Sequence, residues 1–589
     1  MRDLRANLLA ARLDLVVLTL AGVVFLVFWL VDFSGEPRRQ LIAGAIAVAI
    51  LALVVAAFVA ARRSEPASGD PRFIASRRFT LLVGAGAVAL FFIVRFSAVT
   101  ALAYWSEEIG WAEIARRIVE GARWDPFLAK SDYPSSFQAF PLALLVAVGV
   151  PTVLASKIIA GVYFAISVYF FGRLARELLP DRPGWFEIVF PLVLAAFSTV
   201  SWFIVMTGWH EITHVNLIIF ACWYYGLRLI KYQERSAAIA LGLWSGLALW
   251  TLYTPAVFAI PMGLIVLAGI AGPVGLPRKL TFVSWGGLVT APVIGLALSS
   301  HGGILNRHAA FYLRGGEWAG STWSAERNPL HTYLLSTVQL VKDTAPVFGR
   351  LDWEAAQRPH LEPLVFALAA VGMVAILLSR RRLLIGGVLL PVLGMVAGLV
   401  LSNPTPWRES CITAGALVLA VVGFGALWPL VNRNVAVSGA VAALVIIFQL
   451  ATFVRTSSYL EAFQNIPLFA SGKAAAASVA FAKQWLTTSP SKQILVQDDL
   501  WGRFVAVDLP ASAQVRRVQS GNDIKPDVCR PSCLLLGYDV QGTPAKESDY
   551  ESGLAKLSLK TTKSVVFSEP GQEGYAIVAG EGQQATRSP

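Results

Sequence analysis

Two short stretches of this sequence carry the residue types that do proton-transfer or metal chemistry. The first is Trp105-Ser106-Glu107-Glu108-Ile109-Gly110-Trp111-Ala112, which continues to Gly121 with Trp111, Ile114, Ile118 and Val119 on one face of an amphipathic helix. Carboxylates at a membrane surface are costly unless solvated or used. Solvated, Glu107 and Glu108 are a plain loop end; used, one of them is a general base. The second stretch is Trp209-His210-Glu211-Ile212-Thr213-His214. In a helix, His-Glu-x-x-His turns both imidazoles to one side, where they hold zinc with the glutamate as base of a metalloprotease. A membrane zinc metalloprotease is therefore a rival reading, although a third ligand must still be found and no second protease motif accompanies it. The plain alternative is a set of interfacial polar residues.

Two cations join this set. Lys157 follows Ala155-Ser156 at the start of an apolar run, and Arg408 lies in Asn403-Pro404-Thr405-Pro406-Trp407-Arg408-Glu409 just before another. A lysine there could simply reach for the interface. An arginine fork fits a phosphate bidentately. Between residues 300 and 362, His301, Arg307, His308, Tyr312, Arg314, Glu317, Trp318 and Trp323 form a polar and aromatic cluster. Aromatic faces stack on sugars, but Trp and Tyr also belong at membrane interfaces.

The elements that position these residues are membrane helices. The chain has 589 residues, 56% hydrophobic and only 15% charged, against about 25% charged in a soluble protein. Leu15–Val31, Leu41–Ala61 and Phe79–Val94 are each near the length that crosses a bilayer core. The net charge of +12 sits in short clusters between apolar runs, as topology signals do, with no nucleic-acid motif. Arg2, Arg5 and Arg12 precede a run too long for a signal peptide and without a cleavage site, which reads as an uncleaved first span.

Starting inside, the basic clusters at Arg62/Arg63, Arg173/Arg176, Arg228/Lys231/Arg235, Arg278/Lys279, Arg380–Arg382 and Arg433 alternate with apolar sequence to give about 13 transmembrane helices. The expected domains are a transmembrane domain over 1–455 and an extracytoplasmic α/β domain over 456–589. Outward loops lie near 99–137, 207–216, 300–362 and 402–410. The expected location is the bacterial inner (plasma) membrane, multi-pass, with the N-terminus cytoplasmic. Phe140–Val150 is too short to span and reads as a surface or partly inserted helix. In the tail, Lys473–Leu486 and Asp499–Val507 read as helices, and Gln493–Val496, Cys533–Gly537, Ser564–Phe567 and Tyr575–Val578 as strands. Cys222 and Cys411 read as small core residues. Cys529 and Cys533 could be half of a zinc site; if the tail is exported, a local disulfide is the better reading.

The order of these features resembles the GT-C glycosyltransferases, in the branch with protein O-mannosyltransferases and the lipid A aminoarabinose transferase. That family has Asp-Glu-x-x-Tyr-Ala after a span; here the slots read Glu107-Glu108-Ile109-Gly110-Trp111-Ala112. Tyr133-Pro134 through Pro141 is similar to its Pro-Pro-Leu segment, Gly172-Arg173-Leu174-Ala175-Arg176 to its Gly-Arg-x-Leu, and Leu243 through Thr251 loosely to its Gly-Leu-Ala-x-Leu-Thr. The resemblance covers about the first 430 residues, and Glu107 departs from the family's Asp. It implies a polytopic α-helical GT-C-like fold and a polyprenyl-phosphate-sugar donor. It also implies inverting transfer to a glycan, lipid or protein acceptor, among membrane lipids and without nucleic acid. Glu107 or Glu108 takes the place of the base, Glu211 that of a second-loop acid, and Arg408 with Lys157 that of the lipid-phosphate contacts. Tyr133, His308 and Trp318 are candidate acceptor or sugar contacts. No cofactor is certain; a divalent metal ion held by His210 and His214 is the candidate.

Overall fold

The computed structural model describes residues 2–31, 37–64, most of 112–120, 139–150, 152–179, 211–251, 274–298, 338, 363–379, 385–401, 406–431, scattered positions of 436–451, 472–489, 491–498, 505–506, 509–510, most of 512–529, 531–540, 547–569 and 572–580. The apolar runs fold as helices because a backbone in lipid must satisfy its own hydrogen bonds. In chain order these are α1 (Arg2–Leu30), α2 (Pro37–Ser64), α3 (Phe140–Ala147), α4 (Thr152–Leu178), α5 (Glu211–Tyr232), α6 (Arg235–Thr251), α7 (Leu276–Leu298) and α8 (Pro363–Ser379). A π-helical turn at Ile385–Leu389 runs into α9 (Leu390–Leu401), and α10 (Pro406–Val431) follows.

Among the described residues, five stretches are long and apolar enough to cross a bilayer: Leu9–Leu30, Ile42–Arg63, Leu154–Leu178, Leu276–Leu296 and Ile412–Leu430. Leu15, Val16, Val48 and Leu53 stand exposed on α1 and α2, as lipid-facing side chains do. The expected set of about 13 spans extends over residues outside the described ones. α3 is the short helix expected at Phe140–Val150.

Lipid supplies no hydrophobic drive between helices, so close contact relies on small residues. A Cβ on Gly242 of α6 would meet the Gly286 nitrogen of α7 at 2.7 Å. One on Gly372 of α8 would overlap the Leu419 carbonyl of α10, and one on Gly423 the Leu368 carbonyl.

Paired contacts fix helix directions. Along α4 and α5, Phe171 meets Phe220 with ring centroids 5.0 Å apart, and Arg173 Nη2 donates to Tyr224 Oη at 3.1 Å. Farther on, Arg228 Nη1 donates to Glu177 Oε1 at 3.1 Å, so the two helices are parallel. α10 shares their core through Ala414, Leu417, Val418 and Val421 and closes with Gly425 against Leu179 at the end of α4. It runs the same way. α6 turns back after α5, and α7 runs alongside it, with Trp250 Nε1 donating to the Val289 carbonyl at 2.6 Å. α1 parallels α7 from Asp14 beside Thr281 to Phe28 beside Gly295. The starts of α1, α6 and α7 therefore share one end of the bundle with the close of α4, α5 and α10. Arg62 and Arg63 close α2 at this same end, where Phe58 meets Tyr225 edge-on.

The C-terminal α/β unit contains α11 (Gly472–Thr488), β1 (Gln493–Gln497), β2 (Gln514–Val518), β3 (Ser532–Val540), α12 (Glu547–Lys556), β4 (Lys560–Glu569) and β5 (Gln572–Gly580). The sheet order is β2-β1-β3-β5-β4. β1 pairs in parallel with β2 and β3, while β5 is antiparallel to β3 and β4. Side chains alternate across it: Ile494, Val496, Leu534 and Leu536 pack with Val479 and Ala482 of α11, while Leu495, Leu535 and Ile577 pack with Tyr550 and Leu554 of α12. Cys529 and Cys533 form a disulfide within that second layer, and Cys222 is fully buried in the helix bundle. The four expected strands and the helix at Lys473–Leu486 are present and longer than their apolar cores. Of the expected helix Asp499–Val507, the described residues 505–506 are helical.

Candidate active site

At the end where α4 and α5 close, the acids Asp14, Glu177 and Glu234 are each paired with basic side chains. Glu177 accepts from Arg228, from Tyr232 Oη at 3.1 Å and from Lys231 Nζ at 3.4 Å, and Arg228 Nε also donates to Glu234 at 2.9 Å. Arg173 and Arg228 stack on the Tyr224 ring. Beside this network Asp14, 1% exposed, accepts from Arg235 Nη1 at 2.8 Å and Nη2 at 2.6 Å, from Thr281 Oγ1 at 2.7 Å and from Trp285 Nε1 at 3.0 Å. Four donors on one carboxylate hold α1, α6 and α7 in register. Groups so fully paired have no capacity left for a substrate.

The candidate residues belong to the other end. Glu211 is the first residue of α5, His214 lies in its first turn, Arg408 is in the first turn of α10, and Lys157 is in the second turn of α4. With a rise of about 1.5 Å per residue, Glu211 stands about 25 Å above Arg228 and Arg408 about 25 Å above Gly425. Lys157 stands about 30 Å above Glu177 by the same rise. Parallel packing therefore brings Glu211, Arg408 and Lys157 to one end, a hydrocarbon thickness away from the paired charges. The side chains of Glu211, His214, Lys157 and Arg408 lie outside the described residues, as do Glu107, Glu108, Tyr133, His210, His308 and Trp318. Among the described residues no three His, Cys, Asp or Glu side chains cluster as a metal would require.

Glu211, Arg408 and Lys157 thus lie at one end of α5, α10 and α4. Two further polar atoms lie beneath them. Asn216 Oδ1 on α5 and Thr413 Oγ1 on α10 are buried and, among the described residues, have no hydrogen-bond partner. Each is five residues inside its helix from Glu211 or Arg408, so the two sit at a common depth about 7 Å below them. Sequence reasoning missed both, because a single Asn or Thr in an apolar run carries no signal until its partners are known.

The helix after Glu107 and Glu108 lies at this end too. Its Ala115 packs with Leu142 and Ala143 of α3 and with Ala155 and Ile159 near the start of α4, flanked by Ile114 and Ile118. On the other side Ala112 belongs to the buried apolar cluster of the C-terminal unit, which includes Val479, Ala482 and Ile494, and Arg116 Nη1 donates to the Ala506 carbonyl at 2.7 Å.

No protein-family model matches the chain, and no curated protein matches it in sequence. Among solved structures it is similar to ArnT from Cupriavidus metallidurans bound to undecaprenyl phosphate, with TM-score 0.50 and 12% identity over 87% of this chain and 99% of that one. The apo state of the same protein aligns with TM-score 0.50 and 12% identity over 85% and 98%. The arabinofuranosyltransferase AftD from Mycobacteria aligns with TM-score 0.43 and 14% identity over 85% of this chain and 41% of that one. On this likeness the chain has the fold of ArnT, a polytopic helical membrane domain followed by a small C-terminal α/β unit.

Proposed function

We propose that this protein is a membrane glycosyltransferase that moves a sugar from a polyprenyl-phosphate donor to an acceptor at the outer face of the inner membrane. The observation that carries the reading is the parallel packing of α4, α5 and α10, which puts positions 157, 211 and 408 at one end, about a hydrocarbon thickness from the basic end. The likeness to a protein seen with undecaprenyl phosphate agrees with it. So does the charge distribution, since basic residues favour the cytoplasmic side. The Cys529–Cys533 disulfide favours an oxidising compartment for the C-terminal unit.

In this mechanism Glu107 or Glu108 takes the proton from an acceptor hydroxyl. The oxygen attacks the anomeric carbon, the bond to the lipid phosphate breaks, and the phosphate leaves with the electron pair. Arg408, with Lys157, stabilises the charge growing on that phosphate. Single displacement inverts the anomeric centre. Glu211 orients the acceptor, and Tyr133, His308 and Trp318 contact acceptor or sugar. No step uses a metal at His210 and His214.

Mass spectrometry of envelope glycans and lipids from a strain lacking the protein tests this reading. One sugar should be missing and should return with the wild-type protein. With Glu107→Gln or Glu108→Gln, whichever is the base, transfer should fall by about 10²- to 10⁴-fold. An unchanged glycan profile in the deletion strain, or full activity in both variants, rules the reading out.

A further inference from the structure

The helix of residues 112–120 is held from two sides. Ala115 and its neighbours Ile114 and Ile118 face the membrane domain through α3 and the start of α4. Ala112 and Arg116, one turn apart and so on one face, meet the C-terminal unit instead. Ala112 is 7% exposed and sits in the same apolar layer as β1, β3 and α11. Arg116 uses its fork in two directions: Nη1 donates to the Ala506 carbonyl at 2.7 Å, and Nε donates to Glu120 Oε1 at 2.6 Å within its own helix. The Glu120 contact fixes the guanidinium plane, and the fixed plane aims Nη1 across a sequence separation of 390 residues.

We propose that Arg116 is a positioning residue, through which the C-terminal unit sets the place of the segment bearing the catalytic acid. This rests on the reading of Glu107 or Glu108 as base. Glu108 is four residues from Ala112, a reach of at most about 14 Å, so whatever holds Ala112 bounds the carboxylate. A base must come within hydrogen-bond distance of the proton it removes, and a displacement of about 1 Å costs about 100-fold in rate. The C-terminal unit is in this account part of the catalytic frame. An ammonium on a flexible stem can reach the Ala506 carbonyl but cannot hold both partners in one plane.

The test combines the deletion strain with a binding measurement. Arg116→Met, Arg116→Lys, Glu107→Gln and Glu108→Gln are each expressed in that strain and scored for the returning sugar, and each purified protein is titrated with undecaprenyl phosphate in nanodiscs. The expected result has three parts: Arg116→Met returns about a tenth of the sugar or less, Arg116→Lys returns an intermediate amount, and both bind undecaprenyl phosphate within about twofold of wild type, since a lost positioning contact acts on the rate and leaves ground-state binding alone. Full sugar transfer by Arg116→Met, with either glutamine variant inactive, overturns the positioning role and leaves the acid assignment intact. Loss of undecaprenyl phosphate binding together with transfer also overturns it, because that marks a merely structural residue. Full transfer by both glutamine variants overturns the acid assignment and this inference with it.

Discussion

The two ends of the helix bundle use polar residues in opposite ways. At the basic end, Asp14, Glu177, Arg228, Glu234 and Arg235 are paired with one another and with Thr281, Trp285 and Tyr232. At the other end, where Glu211 and Arg408 lie, Asn216 Oδ1 and Thr413 Oγ1 are buried without a partner among the described residues. A buried polar atom left unpaired costs about 1–3 kcal/mol, which a fold tolerates where a ligand will use the atom. The first end fastens helices, with Ser284 Oγ beside Trp285 its one buried atom without a partner among the described residues, while the second carries its orphaned atoms next to the candidate residues.

The sharpest way to break this contrast is at the fastened end. Arg235→Ala leaves the Asp14 carboxylate buried without its bidentate partner, which should destabilise the protein by about 3–5 kcal/mol. Unfolding by SDS titration reads this directly. The surviving folded protein should bind undecaprenyl phosphate as wild type does, because Arg235 is at the far end. At the open end the signs reverse. Thr413→Val keeps the shape and removes an orphaned hydroxyl, so it should stabilise the protein by about 1 kcal/mol while lowering sugar transfer. A loss of both stability and transfer would show that Thr413 serves packing alone.

The smallest effect is expected in the C-terminal unit, at an ion pair belonging to neither end. Lys563 Nζ lies 2.6 Å from Glu547 Oε1, and this hydrogen bond raises the lysine pKa. A group with a raised folded-state pKa stabilises fully below its unfolded value, about 10.4, and the contribution fades as pH rises through the folded value. Lys563→Met should thus lower the melting temperature slightly at pH 7, by no more than an exposed pair contributes, about 0.2–1 kcal/mol. The difference should shrink above about pH 10.

Much of the architecture was legible because lipid simplifies the code. Uninterrupted apolar runs at Leu15–Val31 and Leu41–Ala61 leave no option but helices, and the basic clusters foretold which helix ends share a side. In the C-terminal unit the apolar runs in β1, β3 and β5 were equally plain. β2 was missed because it is an edge strand whose Arg516 and Arg517 face solvent, leaving one buried residue, Val518, to mark it. α12 was missed because its buried stripe is Tyr550, Gly553 and Leu554 in an otherwise polar segment. Asp14 is an acid within the first helix that composition alone could not pair, since its partners come from residues 235, 281 and 285. The contact between Arg116 and Ala506 is invisible to sequence for the same reason, and it shifts the expected role of the C-terminal unit toward the segment that follows Glu107 and Glu108.

The contrast between the two ends predicts where a polyprenyl phosphate binds. Undecaprenyl phosphate titrated onto purified protein in nanodiscs should bind at least about tenfold more weakly to a Lys157→Ala/Arg408→Ala variant, since each charge-assisted hydrogen bond contributes about 1.5–3 kcal/mol. An Arg62→Ala/Arg63→Ala variant, changed by the same charge at the basic end, should bind as wild type does. Equal weakening in both variants would mean attraction by net charge alone, and undiminished binding in the first would contradict a phosphate site at the end where α4, α5 and α10 begin.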